Sequence, residues 1–325
     1  ININKNDAET HTNLAHTLLL KGNYEEGWKE YEYRLKKNNK KMACHAIPKI
    51  TKKINSIFED NEKLLIVSEQ GLGDTLQFMR YVPYLINLGI KIDFCAQDKL
   101  HELIKISKIH SSPISPRNID IILEGSWIPL MSIPRLLKVN QLNPICNKSY
   151  IKAPKELRSK WKDKLKNENK FIVGINWQGN KNIEKSVYQG RSIALEKLSP
   201  ISKISEIKFI SLQKGYGSEQ LDKCTFKNKF VECQNEISTI WDLAENAAMI
   251  LNCDLVITTD TSIAHLAGGL GKTTWLMLKD VPEWRWGIEG RETFWYPSIR
   301  LFRQKERGNW DFVISEIKKE LKNIV

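Results

Sequence analysis

The stretch from Asp254 to Gly271 constrains this chain more than any other. It opens on an apolar run, Leu255-Val256-Ile257, extended by β-branched Thr258 and Thr259, which is the pattern of a buried strand. Asp260 stands where strand gives way to helix, and the helix reads on through Ala264-His265-Leu266-Ala267. In an open α/β sheet, the carboxyl end of a strand faces the ligand crevice. Asp260, Thr261 or Ser262 is placed to cap the helix, and the free amides of its first turn then favour a phosphate.

A second pattern nearby does not mean what it resembles. Gly268-Gly269-Leu270-Gly271-Lys272-Thr273-Thr274 looks like a Walker A loop, but the first glycine of that motif would fall on Leu266. The order is also inverted, because a helix ends at these glycines and a strand comes after them. They are read as a helix C-cap and turn.

At 325 residues and 41% hydrophobic, the chain suits two domains with real cores and an appendage. No apolar run is long enough for a membrane span. The start, Ile1-Asn2-Ile3-Asn4-Lys5-Asn6, lacks the order of a signal peptide and lacks Met, so the chain is expected to be a piece of something longer. Cys44, Cys95, Cys146, Cys224, Cys233 and Cys253 are scattered, without C-x-x-C. Neither a zinc site nor a disulfide framework is expected, and a cytoplasmic location fits, with the inner membrane surface kept open. The net charge of +12 fits a phosphate-rich partner, or equally a bias toward Lys, Asn and Ile. No basic stretch alternates with aromatics, which disfavours nucleic acid.

Along the chain, residues 7–38 read as a helical hairpin, with Ala8, Leu14, Ala15, Leu18 and Leu19 on one face and Trp28, Tyr31 and Leu35 marking a second helix. The spacing of Leu14, Ala15, Leu18, Gly22, Tyr24, Gly27 and Tyr31 resembles a tetratricopeptide repeat, with Gly27 where Ala is usual. One repeat cannot bury its own face, so it either docks on the rest of the chain or ends an array; a plain helix pair fits nearly as well. Residues 39–61 read as a connector. A βαβ series comes next: strand 63–69, a Gly-Asp turn, helix 75–88, strand 90–96, helix 101–107 and strand 120–123. Residues 149–169 are read as the hinge. A second series has strands at 171–177, 208–212, 229–232, 255–259, 273–278 and 299–302, a helix at 237–251 and a closing helix at 310–323. The expected fold is α/β. Its domains are a helical hairpin (1–40), a first Rossmann-like domain (41–150) and a second (151–325), the last two facing a cleft.

Three segments together carry a family likeness: Glu69-Gln70-Gly71-Leu72-Gly73-Asp74-Thr75-Leu76-Gln77-Phe78; Gly174-Ile175-Asn176-Trp177-Gln178-Gly179-Asn180 with Gly190-Arg191-Ser192-Ile193; and residues 260–271 with Pro282-Glu283-Trp284-Arg285-Trp286 and Phe294-Trp295-Tyr296-Pro297 after them. The pattern resembles bacterial tetratricopeptide proteins that end in a glycosyltransferase family 9-type, heptosyltransferase-like domain. The resemblance implies a GT-B fold whose first domain takes the acceptor and whose second takes a nucleotide-sugar. It also implies inverting transfer without a metal or other cofactor, and no Asp-x-Asp is present. The first α/β half is short for that family, so its acceptor surface is either reduced or completed by the helical repeat.

Such transfer needs a base for the acceptor hydroxyl and neutralisation of the departing diphosphate. The resemblance makes Asp74 the base, with Gln70, Gly71 and Gly73 leaving room for substrate; the alternative is that Asp74 N-caps the next helix. His265, one turn into its helix, is the second catalytic candidate, against a packing role. Asp260, Thr261 and Ser262 are expected at the donor phosphates, and Arg191 matches the family's phosphate-neutralising residue. Lys214 and Glu219 fall where the family places a carboxylate on the nucleotide ribose. Trp177, Gln178 and Asn180 are expected to line the cleft, as is Arg285, with Trp284 and Trp286 either a stacking wall or a wedge between domains. Expected partners are a nucleotide-sugar, a glycan, lipid-linked or protein acceptor, and a protein bound through the hairpin. The competing readings are a silent scaffold and a nucleotide-binding regulator.

Overall fold

The structure is a computed structural model that describes residues 7–37, 63–122, 124–146, 148–182, 184 and 190–325. The connector expected at 39–61, and Leu123 at the end of an expected strand, lie outside the described residues. The chain divides into two units, Ile1–Asn147 with Glu283–Glu289, and Lys148–Pro282 with Gly290–Val325. Among the described residues, no helix is long and apolar enough to cross a membrane.

The first unit begins with α1 (Ala8–Leu20), capped by Asp7, whose carboxylate accepts from Thr10 N at 2.8 Å. Gly22 turns the chain into α2 (Tyr24–Tyr31) and the short α3 (Arg34–Lys37). Gly27 has a packing reason: a Cβ there would stand 2.7 Å from the Leu19 side chain, so its absence lets α1 and α2 close up. The hairpin docks within this unit. Trp28 is buried and donates to Val139 O at 2.8 Å, and Trp28 and Tyr31 meet the Trp284 ring edge-on at 5.4 and 5.8 Å between centroids. Docking of this kind answers the need of a lone helix pair to bury its apolar face.

Behind the hairpin lie β1 (Lys63–Val67), α4 (Leu72–Phe78), α5 (Tyr81–Asn87), β2 (Lys91–Cys95), α6 (His101–Ile106), β3 (Ser126–Pro129) and α7 (Ile133–Leu136). The sheet is parallel, ordered β2-β1-β3, with Leu64 opposite Ile92 and Ser126. Two expectations change. The helix expected at 75–88 is two helices: Pro83 has no N–H to give Met79 O, which accepts from Val82 N at 3.1 Å instead, and Arg80 at the junction donates to Gln77 O at 2.7 Å and to Cys146 O at 3.0 Å. Of the strand expected at 120–123, the described residues 120–122 form none. Ser115 and Pro116 start a 3₁₀ turn, Pro116–Ile121, and the sheet takes Ser126–Pro129 instead, burying Trp127 and Ile128.

The second unit runs α8 (Lys155–Leu165), β4 (Phe171–Asn176), α9 (Ser199–Ser202), β5 (Ile207–Ser211), α10 (Gln234–Thr239), α11 (Leu243–Asn252), β6 (Leu255–Thr259), α12 (Ser262–Gly269), β7 (Thr274–Leu278), β8 (Ile299–Arg303) and α13 (Trp310–Lys322). Its sheet is parallel, ordered β5-β4-β6-β7-β8. Helix α13 places Trp310, Val313, Ile314, Ile317 and Leu321 in a core with Val173 and Ile175 of β4 and Leu255 and Ile257 of β6. Each aliphatic side chain so buried contributes about 1.5–3 kcal/mol. The stretch 229–232 joins the sheet only through an isolated bridge, Phe209 to Phe230. The helix expected at 237–251 is α10 and α11, restarted by Asp242, which accepts from Glu245 N at 2.8 Å.

Strand order places a crevice in each unit. In the second, the chain moves from β4 to β5 on one side and then crosses to β6 on the other, so the switch point lies between β4 and β6. In the first it lies between β1 and β3 by the same reasoning.

Candidate functional site

At the second unit's switch point, Asn176 ends β4 and Asp260 comes directly after β6. Thr261 is the N-cap of α12, accepting from Ile263 N at 3.3 Å, and its hydroxyl donates to Asn176 Oδ1 at 2.8 Å. Asn176 is anchored in turn by Gln213, whose Oε1 accepts from Asn176 Nδ2, Trp177 N and Gln178 N at 2.8, 3.2 and 3.0 Å. The capped helix start is therefore held by a buried amide chain reaching across to the end of β5. Arg191 completes this side. It donates to Asp260 O at 2.9 Å and pairs with Glu184 at 3.1 Å, its side chain only 13% exposed. A Cβ on Gly179 would lie 2.3 Å from the Arg191 guanidinium, so glycine is what lets that group sit here.

Sequence reading missed two cations, Lys279 and Arg307. Burial lowers the Lys279 pKa, and its ammonium also feels Asp280, Asp260, Arg307 and Arg191. A signal for Lys279 was available, since it succeeds β7 as Asp260 succeeds β6.

Beyond β5 lies a cavity of about 520 Å³ lined by Gln213, Lys214, Glu219, Asp222 and Trp241, among others. Burial pushes the Lys214 ammonium down to about 8, and it donates to Ile237 O. Trp241 is 64% exposed at this cavity and was not singled out in the sequence. An exposed tryptophan beside a half-buried cation and carboxylates suits a flat ring carrying hydroxyls.

In the first unit, β1 leads into the turn 69–74. Gln70 has a φ of 61°, a left-handed conformation for a non-glycine residue. Gly71 is the N-cap of α4 and Gly73 lies within the helix. Asp74 is not the cap but the third helical residue, and its Oδ2 accepts from Gly71 N at 2.9 Å, one half of a capping box that glycine, having no side chain, does not return. Its Oδ1 accepts from Arg285 Nη2 at 2.5 Å. Glu69 is gripped by Arg34, which donates from Nε at 3.0 Å and from Nη2 at 2.6 Å.

Several expected placements are corrected. Trp177 does not face a crevice: it is fully buried in the core of the second unit, because the strand ends at Asn176 and the next side chain turns inward. Gln178 is buried and accepts from Gln220, while Asn180 is exposed and caps its own turn through Asn182 N. His265 is 5% exposed, its ring partnered by the Tyr296 hydroxyl at 2.9 Å, which is the packing role. Trp284 and Trp286 are buried within the first unit and offer no open stacking wall. Ser262 opens α12, and Lys214 and Glu219 both line the cavity.

Two parallel α/β units of this kind are the fold of GT-B-like glycosyltransferases, and similar solved structures bear this out. The chain overlays ADP-heptose LPS heptosyltransferase II of E. coli with a TM-score of 0.55 at 10% identity, over 81% of this chain and 98% of that one. It overlays the glycosyl transferase family 9 protein of Veillonella parvula DSM 2008 with a TM-score of 0.50 at 11% identity, over 81% and 90%. For E. coli heptosyltransferase WaaC with ADP-2-deoxy-2-fluoro heptose the values are 0.50 and 11%, over 81% and 100%. In sequence, the chain is similar to protein FlbA of Caulobacter vibrioides, 24% identical over 333 residues, covering 95% of this chain. It spans about half the length of that curated relative, 54%. No protein-family model matches the chain.

Proposed function

We propose that this protein is a glycosyltransferase that moves a sugar from a nucleotide-sugar to an acceptor hydroxyl, with inversion and without a metal. The observation that carries this reading is the second unit's switch point, where a capped helix start, Arg191 and Lys279 gather around Asp260 on a fold shared with family 9 glycosyltransferases. The α12 amides, Arg191 and Lys279 neutralise the diphosphate, and Thr261 and Ser262 orient it. The Lys214 cavity takes the nucleoside, with Glu219 toward the ribose and Trp241 against the base. Asp74 takes the proton as the acceptor oxygen bonds to the anomeric carbon and the bond to the diphosphate breaks. The acceptor is a glycan, a lipid-linked sugar or a protein, and the first unit holds it. Basic side chains here fill the part a divalent ion fills in other transferases.

A thermal-shift screen across ADP-, UDP- and GDP-sugars, with and without EDTA, tests the reading. The matching donor at a hundred times its Kd adds about 2.7 kcal/mol of stability, the same in EDTA. If no donor stabilises the protein and none releases nucleoside diphosphate, the chain is a silent scaffold. Loss of turnover in EDTA that magnesium restores would overturn the metal-free mechanism alone.

Arg191→Ala is expected to weaken nucleoside diphosphate binding by roughly 1.5–3 kcal/mol, the range of a charge-assisted contact. Calorimetry on the folded variant checks it, and unchanged affinity removes Arg191 from the site.

A further inference from the structure

Asp74, Gln77 and Phe78 stand at i, i+3 and i+4 of one helix and so share a face. Arg285 meets that face. Its segment, Glu283–Glu289, leaves the second half of the chain and belongs to the first unit. The guanidinium uses every edge: Nη2 donates to Asp74 Oδ1 and Nε to Gln77 Oε1, each at 2.5 Å, and Nη1 donates to Glu283 Oε1. Its Cζ lies 4.3 Å from the Trp284 ring centroid and 5.5 Å from that of Phe78. The Arg285 side chain is 3% exposed and that of Asp74 is 16% exposed, so the carboxylate is the edge of this network that reaches solvent. With Gly71 N on Oδ2, the carboxylate is held at both oxygens, and each keeps a lone pair for a further partner. Tyr31, Glu69 and Arg34 lie close enough to share the local field, together with Glu283.

We infer that Arg285 is a positioning residue that fixes the Asp74 carboxylate in the orientation from which it takes the acceptor proton. The inference rests on the reading of Asp74 as the base. Lysine could not do this work. An ammonium carries the charge, but it lacks the planar fork that reaches Asp74, Gln77 and Glu283 at once while packing against the Trp284 ring.

The test is a double-mutant cycle on release of nucleoside diphosphate from whichever ADP-, UDP- or GDP-sugar stabilises the protein most. Arg285→Gln is expected to lower kcat about 10–100-fold with donor KM within about twofold, the signature of a lost transition-state alignment. In an Asp74→Asn background, the same change is expected to cost less than about twofold, because the group it aligns is gone. Arg285→Lys preserves the charge, covers the case in which Arg285→Gln does not fold, and is expected to recover only part of the rate. Equal losses from Arg285→Gln in both backgrounds, or a wild-type rate in Arg285→Lys, would overturn the positioning role. Wild-type turnover in Asp74→Asn, or no release by the unmutated protein from any of these donors, would instead sink the base assignment, and the positioning role with it.

Discussion

Asp74→Asn is expected to leave donor binding nearly intact and to lower the transfer rate by roughly 10²–10⁴-fold, the usual worth of a general base. Donor binding survives because the proposed nucleotide groups, Arg191, Thr261 and Lys214, all belong to the other unit. Folding is touched more than a simple cap would suggest. The carboxylate accepts from both Gly71 N and Arg285, and an amide presents only one acceptor to those two donors. The variant should therefore lose about 1–3 kcal/mol in urea unfolding, while Glu283 still balances the Arg285 charge. Steady-state kinetics beside calorimetric donor titration separates the two effects. A variant that binds donor and turns over normally would reduce Asp74 to a structural partner of Gly71 N and Arg285. His265 would then be a poor replacement, since it is covered and held by Tyr296.

Much of the α/β layout was legible because buried parallel strands are written as local apolar runs. Lys63–Val67, Lys91–Cys95, Leu255–Thr259 and Thr274–Leu278 all lie where such runs predicted them. The exception, Ser126–Pro129, is four residues long and ends in proline, so it carries almost no local strand signal. The donor-side turn was legible for the same reason as its strand, since the carboxyl end of a buried parallel strand opens on the crevice. Aromatic residues misled. Trp177 read as lining the cleft and Trp286 as either a stacking wall or a wedge, yet both rings are core, while the exposed tryptophan is Trp241, between two helices that read as one. The grip of Arg285 on Asp74 was invisible because 211 residues separate them, and no pattern along the chain reports on such a pair.

Arg34→Met is expected to destabilise the protein by about 3–5 kcal/mol, the cost of leaving one half of a buried ion pair unpaired. In sequence Arg34 is one basic residue among several near the end of a hairpin, the usual mark of a solvated face. In the structure it is 4% exposed. Its fork closes on Glu69, a further donor hydrogen reaches Ser132 Oγ at 3.0 Å, and Nη1 takes up the carbonyl of Tyr31 at the end of α2. The Arg34–Glu69 side chains are 5% and 7% exposed, so solvent cannot relieve the carboxylate once the guanidinium is gone. Met131 N, at 3.2 Å, would remain on Glu69, which is too little for a buried charge. Changing Glu69 as well, in Arg34→Met/Glu69→Leu, should recover most of the loss, because a buried pair replaced by apolar side chains of similar size costs little. Urea unfolding of both single variants and the double variant decides the point. A single-variant loss below about 1 kcal/mol would show that the pair is hydrated in solution. The full loss with recovery in the double variant would show that the hairpin stabilises the first unit by clamping the residue that precedes Gln70 and the Asp74 turn, and so is part of that unit's fold.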